Sequence, residues 1–96
     1  MFLKEQLKIL KEVAPNKHDW IVQIVFTHEL QTIYGTKEYT SGICESYLNI
    51  VDMNNEYNWE KCDIVQVTIY THSAIIPIMS INGMKLSEFI KILKEV

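Results

Sequence analysis

The chain has 96 residues, which is enough for one globular domain over residues 1–96 but leaves no room for a second hydrophobic core. Apolar residues make up 48% of the chain and charged residues of both signs make up 22%, a balance that excludes an intrinsically disordered protein. The net charge is −3 and all nine basic residues are lysines. The arginine-rich basic surface of most nucleic-acid-binding proteins is therefore missing.

The apolar runs and the number of cysteines indicate the cellular compartment to expect. The longest apolar run, at 74–79, is far shorter than the ~20 residues of a membrane span, so we expect no membrane partner. Lysine and glutamate interrupt the apolar residues of the N-terminal segment, which disfavours a signal peptide. The two cysteines, Cys44 and Cys62, are too few for a disulfide framework. A cytoplasmic protein with free thiols is the expectation.

The first and last segments are predicted helices that nearly repeat each other. Residues 1–13 and 84–96 share nine identities in thirteen, and both end in KILKEV. Each carries an apolar stripe at helical spacing, and Pro15 ends the first helix. We expect the apolar Ile, Leu and Val of both copies to be buried, against the sheet or against each other: Ile9, Leu10, Val13, Ile92, Leu93 and Val96.

The region between the helices is rich in β-branched and aromatic residues. Residues 20–28 predict a central strand, because both of its faces are largely apolar. Residues 29–43 fit either a hairpin or a short helical turn. Residues 44–53 are ambiguous between strand and helix, and we favour a strand because a polar loop and a clear strand follow.

The second half of the chain contains two further predicted strands. Residues 54–61 predict a polar loop, and residues 62–72 predict the clearest strand in the sequence. Residues 75–81 contain Pro77, which cannot donate to a sheet ladder, so this run predicts an edge strand or a bulge. The predicted fold is therefore α+β: an antiparallel sheet of about four strands covered by the N-terminal and C-terminal amphipathic helices.

Histidines and cysteines are the candidate catalytic groups. His28 and His72 each end a predicted strand, and they would meet only if those two strands were parallel neighbours. Cys62 and His72 are ten residues apart, about 33 Å along a strand, so they cannot act as a pair on an unbroken strand. The spacing of Cys44, Cys62 and His72 contains no close chelating pair, so no metal is expected. No cofactor-binding motif is present.

The stretch DMNNEYNWEKCD at 52–63 is the candidate binding site. It carries four acids against one lysine, with two aromatic residues among them. Aromatic side chains are enriched at binding hot spots, and acids can steer a protein toward a basic partner. An alternative is that Trp59 folds back onto the core, since tryptophan is highly buried on average. The predicted protein-binding residues are Asp52, Glu56, Tyr57, Trp59 and Glu60.

These features predict a small non-enzymatic protein-binding module that docks on another protein with a basic surface. The profile suits a phage or mobile-element inhibitor of a host protein such as a nuclease, or an immunity-type protein. The alternatives are a small-ligand-binding or catalytic protein using His28, His72 or Cys62, and a DNA-binding autoregulator, which the lack of arginine disfavours. The terminal helices and the edge strand also offer surfaces for a homodimer.

Overall fold

The computed structural model describes residues 2–52, 61–72, 75–79 and 84–96. The chain forms an α+β fold with an antiparallel sheet, as predicted. A single 3₁₀ turn, Lys17–Asp19, follows the first helix. The other elements are, in chain order, α1 (Phe2–Val13), β1 (Ile21–Thr32), β2 (Gly35–Ser46), α2 (Tyr47–Asp52), β3 (Asp63–Tyr70), β4 (Ile75–Met79) and α3 (Leu86–Glu95).

The strands of the described residues form one sheet in the order β2-β1-β3-β4, and every neighbouring pair is antiparallel. β1 lies between β2 and β3, so the prediction of a central strand beginning near residue 20 is confirmed. β4, which contains Pro77, lies at one edge of the sheet, where a missing backbone N–H is tolerated. β2 lies at the other edge.

One face of the sheet carries the core. Side chains of a strand alternate between its two faces, and Val22, Ile24 and Phe26 of β1 are fully buried, whereas Ile21 on the other face is 39% exposed. In β3 a shift in register opposite Val25 and Phe26 brings the buried positions onto the same face. The core residues of the sheet and of the segment leading into it are Trp20, Val22, Ile24, Phe26, Ile64, Val67 and Ile69.

The helices pack on that same face, because their buried residues belong to one cluster with the core side of the sheet. Ile50 of α2 joins the cluster, and the half-buried Val25 on the other face does not. The fold is thus a helix layer on a sheet layer. The terminal helices contribute the buried residues Leu3, Leu7, Leu10, Leu86, Phe89, Leu93 and, just past the end of α3, Val96.

The predicted burial of the repeated KILKEV segment is correct for most of the second copy and partly wrong for α1. Leu10 is 1% exposed, but Ile9 is 61% and Val13 is 60% exposed. In the second copy, Val96 is only 8% exposed. α1 buries the stripe of Leu3, Leu7 and Leu10 and turns the adjoining apolar residues to the surface, so the two copies present different faces to the core.

The favoured strand over 44–53 is also partly wrong. β2 ends at Ser46, and residues 47–52 form α2. The Ser46 side-chain Oγ accepts a hydrogen bond from the Asn49 backbone N–H at 3.3 Å, as a helix-capping serine does. Tyr47 and Ile50 then face the core, three residues apart on one side of the helix. A helix of six residues is too short for its period to stand out in sequence.

Lys17 joins the beginning of the chain to its last helix. Its Nζ donates to the backbone carbonyl of Val96 at 2.7 Å, and also lies 3.4 Å from the carbonyls of Leu93 and Lys94. Carbonyl groups at a helix C-terminus lack partners within the helix, and the helix dipole favours a cation there. The same ammonium group lies 4.8 Å from the centre of the Tyr47 ring. Lys17 therefore connects α2 and α3.

Candidate functional site

The predicted binding loop is described only at its beginning. Asp52 is the last residue of α2 and is exposed. Its predicted partners Glu56, Tyr57, Trp59 and Glu60 lie outside the described residues. The prediction of an acidic-aromatic docking loop over 52–60 therefore stays a prediction.

His28 and His72 do not converge. β1 and β3 are antiparallel, with Thr27 opposite Asp63 and Ile21 opposite Tyr70. His28 therefore lies at one end of the sheet and His72 at the other, about nine strand residues or ~30 Å away. Cys62 lies near His28's end, directly before β3. The three candidate catalytic residues do not form one site.

His28 has neighbours of its own on the core side of the β1–β2 hairpin. Its Nε2 lies 3.0 Å from the Ser41 hydroxyl, which is close enough for a hydrogen bond. Its ring stacks on Tyr39, the residue directly opposite in β2, with 6.0 Å between ring centres. These contacts hold the imidazole in a fixed orientation where the buried core ends and the exposed part of the hairpin begins.

Cys62 is buried and is held as a neutral thiol. Its side chain is 0% exposed. Burial raises the pKa of the Cys62 thiol, the Asp63 carboxylate raises that pKa further, and the Lys85 ammonium opposes both. Cys44, on the outer face of β2, is exposed. Since the thiolate is the nucleophilic form, the two cysteines should differ in reactivity.

We expect iodoacetamide to label Cys44 in the native protein at neutral pH and to spare Cys62. Cys62 should become labelled only when urea unfolds the chain, because both its burial and its raised pKa then disappear. Peptide mass spectrometry after timed labelling measures the two rates separately, and a Cys44→Ser variant isolates Cys62. Equal labelling of both thiols in the native state would contradict the buried position of Cys62.

A small polar cleft lies where the hairpin leaves the rest of the sheet. Its volume is about 240 Å³, below the roughly 300–1,000 Å³ of most small-molecule sites. Asp63 and Lys85 neutralise each other in it, with 2.6 Å between carboxylate oxygen and Nζ. Of the three candidate catalytic residues, only His28 lines it. The lining residues are Thr27, His28, Glu29, Glu38, Lys61, Asp63 and Lys85.

Among the described residues, a projecting hairpin forms a distinctive surface. β1 pairs with β3 only as far as Thr27, but it pairs with β2 as far as Thr32. Residues 28–39, which we call the arm, therefore form a two-stranded ribbon beyond the other strands. Five residues of strand span ~17 Å. The molecule measures 49 × 24 × 20 Å, and its radius of gyration of 13.9 Å exceeds the roughly 12.5 Å of a compact chain of this length.

The tip of the arm consists of Ile33 and Tyr34, which are 92% and 87% exposed. They occupy a two-residue turn closed by the pair Thr32 and Gly35. Such turns usually take Asn, Asp or Gly, because of the backbone geometry they require. Here the Thr32 hydroxyl donates to the Gly35 carbonyl at 2.7 Å and accepts from the Tyr34 N–H at 3.3 Å. Flanking residues thus build the turn, and the two tip positions carry large apolar side chains into water.

Below the tip, the arm carries two facing carboxylates. Glu29 of β1 lies directly opposite Glu38 of β2, so the two share one face of the ribbon. Like charges in this position destabilise a hairpin. Lys37, the one lysine of the arm, faces the other side with Leu30. The arm is therefore an apolar, aromatic tip above an acidic face.

The arm is not evident from the amino-acid sequence. Residues 29–43 fit either a hairpin or a short helical turn, and their two glycines, Gly35 and Gly42, lie after the turn, which the structure places at Ile33 and Tyr34. The sequence feature that indicates the arm is the run of β-branched and aromatic residues on both sides of Gly35, which contains no standard turn dipeptide. Gly35 has a φ of +121°, a backbone conformation that favours glycine, and it marks the first residue after the turn.

Comparison of the chain with protein-family models, with curated proteins and with solved structures returned no match. Within residues 2–52, 61–72, 75–79 and 84–96, no three histidine, cysteine, aspartate or glutamate side chains are grouped so that they could hold a metal ion. Over the same residues, none of the helices is both long enough and apolar enough to cross a membrane.

Proposed function

We propose that this chain is a small non-enzymatic protein-binding module that docks on another protein through the arm. The observation that carries the proposal is the tip, where Ile33 is 92% and Tyr34 is 87% exposed. Both side chains project from a turn that most proteins fill with small polar residues. Exposing them costs favourable burial, and contact with a partner recovers it.

The arm has the properties of a pre-organised binding element. Tyrosine supplies a large contact area with few rotatable bonds, and it is among the residues most enriched at hot spots. The ladder of hydrogen bonds between β1 and β2, together with the Thr32 turn contacts, fixes the tip before binding. A partner therefore does not have to order a flexible loop, which lowers the entropic cost of association.

The charge of the arm indicates the kind of partner. Glu29 and Glu38 lie on one face below the tip and line a cleft that also contains Lys61, and a basic rim on the partner would further reduce their repulsion. An apolar groove bordered by lysine or arginine matches both features. This partner agrees with the basic surface expected from the acidic loop at 52–60, and it suits an inhibitor or immunity-type protein that covers a nucleic-acid-binding surface, such as that of a nuclease.

The test is differential capture from extracts of the native host. Immobilised wild-type protein is compared with an Ile33→Ser/Tyr34→Ser double variant and with a matched control, Ile9→Ser, whose side chain is 61% exposed on α1. We expect a partner that wild type and control retain and that the tip variant loses. Loss of a hot spot costs about 2 kcal/mol or more, so affinity for the purified partner should fall by roughly 30-fold or more.

The predicted loop provides the competing outcome. A Tyr57→Ser/Trp59→Ser variant is tested beside the tip variant, with circular dichroism to confirm that each remains folded. If the tip variant retains the partner and the loop variant loses it, binding resides in the loop and the proposal for the arm is wrong. If both variants retain the same proteins as the wild type, neither surface is the docking site.

A further inference from the structure

The outer edge of β2 is a second surface that a partner could use. β2 has 12 residues, and within the part of the chain that the structure describes it pairs with β1 alone. Residues 35–40 are all exposed, as are Gly42 and Cys44. Natural proteins usually protect such an edge with proline, a short strand or several charges, since its free N–H and C=O groups can pair with another chain. β2 is long and contains no proline, and its three charged residues, Lys37, Glu38 and Glu45, leave most of the edge uncharged.

The arm supplies an independent reason for a strand on this edge. A two-stranded ribbon has fewer stabilising contacts than a sheet of three or more strands, even where its base continues into a sheet, as the base of the arm does. Residues 28–32 pair with residues 35–39 and not with β3. A further strand along β2 would convert this part of the ribbon into a three-stranded sheet.

Symmetry limits how two copies of β2 can pair. In an antiparallel pair related by a two-fold axis, the residue numbers of any two facing residues add up to the same total. That total must be even, because the side chains of two facing residues lie on the same side of the sheet, and one residue of each copy then lies on the axis. The centre of Gly35–Ser46 lies between residues 40 and 41. The two registers that pair most of the strand therefore place either Thr40 or Ser41 on the axis.

The side chains distinguish these two registers. With Ser41 on the axis, Lys37 faces Glu45 of the second copy and Tyr39 faces Ile43 of the second copy, each pair occurring twice. With Thr40 on the axis, Lys37 would face Ile43 instead and Tyr39 would face Ser41. Opposite charges and aromatic–β-branched pairs are the cross-strand contacts that stabilise sheets. Only the Ser41 register gives both.

We propose that a second copy of this chain pairs with β2 in antiparallel fashion about a two-fold axis at Ser41, joining the two sheets into one. The side chains in the structure suit this arrangement. Tyr39 is 39% exposed, and its ring is already oriented by stacking on His28. The Glu45 carboxylate accepts one hydrogen bond from the exposed Asn49 amide at 2.9 Å, which leaves it acceptor capacity for a lysine.

The pairing leaves the tip of the arm free to dock. The facing segments run from residue 36 to residue 46, so Ile33 and Tyr34 lie outside them. Antiparallel pairing directs the two arms to opposite ends of the joined sheet. Each arm then lies along the base of β2 in the other copy, which supports the ribbon. The dimer would present two identical tips.

Charge reversal tests the register in the full chain. Dimerisation of the wild type is measured by sedimentation over a concentration series. Lys37→Glu and Glu45→Lys each replace two attractive pairs with two repulsive ones, and each should weaken the dimer by roughly tenfold or more. The combined Lys37→Glu/Glu45→Lys variant restores opposite charges and should recover the affinity of the wild type. Circular dichroism confirms that every variant folds.

Cross-linking provides a second measurement of the same register. Ser41→Cys in a Cys44→Ser background places one thiol of each copy at the axis and should form a disulfide-linked dimer under mild oxidation. Wild-type Cys44 faces Glu38 of the second copy and should not. A monomeric wild type at all concentrations, no recovery in the double reversal, or linkage through Cys44 in place of the thiol introduced at position 41 would each overturn the proposal.

Discussion

Replacing Leu10 by alanine is expected to lower the free energy of unfolding by about 2–5 kcal/mol, whereas Ile9→Ala should change it by less than about 0.5 kcal/mol. The two residues are neighbours in one helix, but Leu10 is 1% exposed and Ile9 is 61% exposed. Truncating Leu10 leaves a cavity under α1 and truncating Ile9 does not. Alanine also has the highest helix propensity, so neither change weakens the helix itself.

Urea denaturation followed by circular dichroism measures both changes. A domain of this size is stabilised by about 5–15 kcal/mol in total, so the loss at Leu10 would be a large part of its stability. Leu93→Ala and Ile92→Ala in the second KILKEV copy extend the comparison, because Leu93 is fully buried and Ile92 only partly buried. Equal losses for Leu10→Ala and Ile9→Ala would contradict the orientation of α1 on the sheet.

Trp20→Ala should destabilise the protein by about 3–5 kcal/mol. The indole is 0% exposed, its Nε1–H donates to the Ala14 carbonyl at 3.0 Å, and its ring meets Tyr47 edge to face with 6.5 Å between ring centres. The Tyr47 N–H also donates to the Trp20 carbonyl at 3.0 Å. One residue thus joins the end of α1, the start of β1 and α2.

Trp20→Phe separates the hydrogen bond from the packing. Phenylalanine keeps an aromatic ring in the core but leaves the Ala14 carbonyl without its indole donor, and it should cost about 1–3 kcal/mol. The matched control is Tyr34→Ala at the arm tip, which removes an aromatic ring that is 87% exposed and should cost less than about 0.5 kcal/mol. Urea unfolding curves rank the three variants by their free energy of unfolding. If Tyr34→Ala lowered that free energy as much as Trp20→Ala, the tip would have to pack against the domain.

The two proposed surfaces, the arm tip and the edge of β2, have different consequences for a partner. The tip presents an aromatic anchor to a groove, and the edge presents backbone hydrogen-bonding groups to a strand. Because Ile33 and Tyr34 lie outside the paired segment, tip variants should leave the sedimentation of the protein unchanged. Reversing the charge of Lys37 or Glu45 should change the sedimentation of the protein. It would weaken capture of the partner only if the partner requires two tips.

Local periodicity determined much of the fold from the sequence. The terminal helices follow from the spacing of apolar side chains, the central strand from residue 20 and the strand after Cys62 from runs of β-branched and aromatic residues, and the edge strand from its proline, Pro77. These predictions succeed because a helix of three turns or a strand of eight residues contains its period several times. α2, with six residues, and the Ile33–Tyr34 turn, with no standard turn residue, contain too little local pattern.

Less of the candidate site than of the fold could be predicted from the sequence. The predicted loop at 52–60 lies mostly outside the described residues, so it stays a second hypothesis beside the arm. The arm itself depends on where β3 stops pairing with β1, and Asp63 and Thr27 carry no sequence signal for that end. Separation of His28 from His72 likewise depended on strand direction, which the residues alone left open.

The sequence by itself determined the composition of the layers: amphipathic helices, a two-sided central strand and an acidic chain without arginine. Only the tertiary structure decided which copy of KILKEV buries its valine, with Val13 60% and Val96 8% exposed. The physical reason is that an identical segment has an identical local preference, whereas burial is a property of what lies opposite. Val96 lies against the core, and Val13, in an equivalent segment, has water beside it.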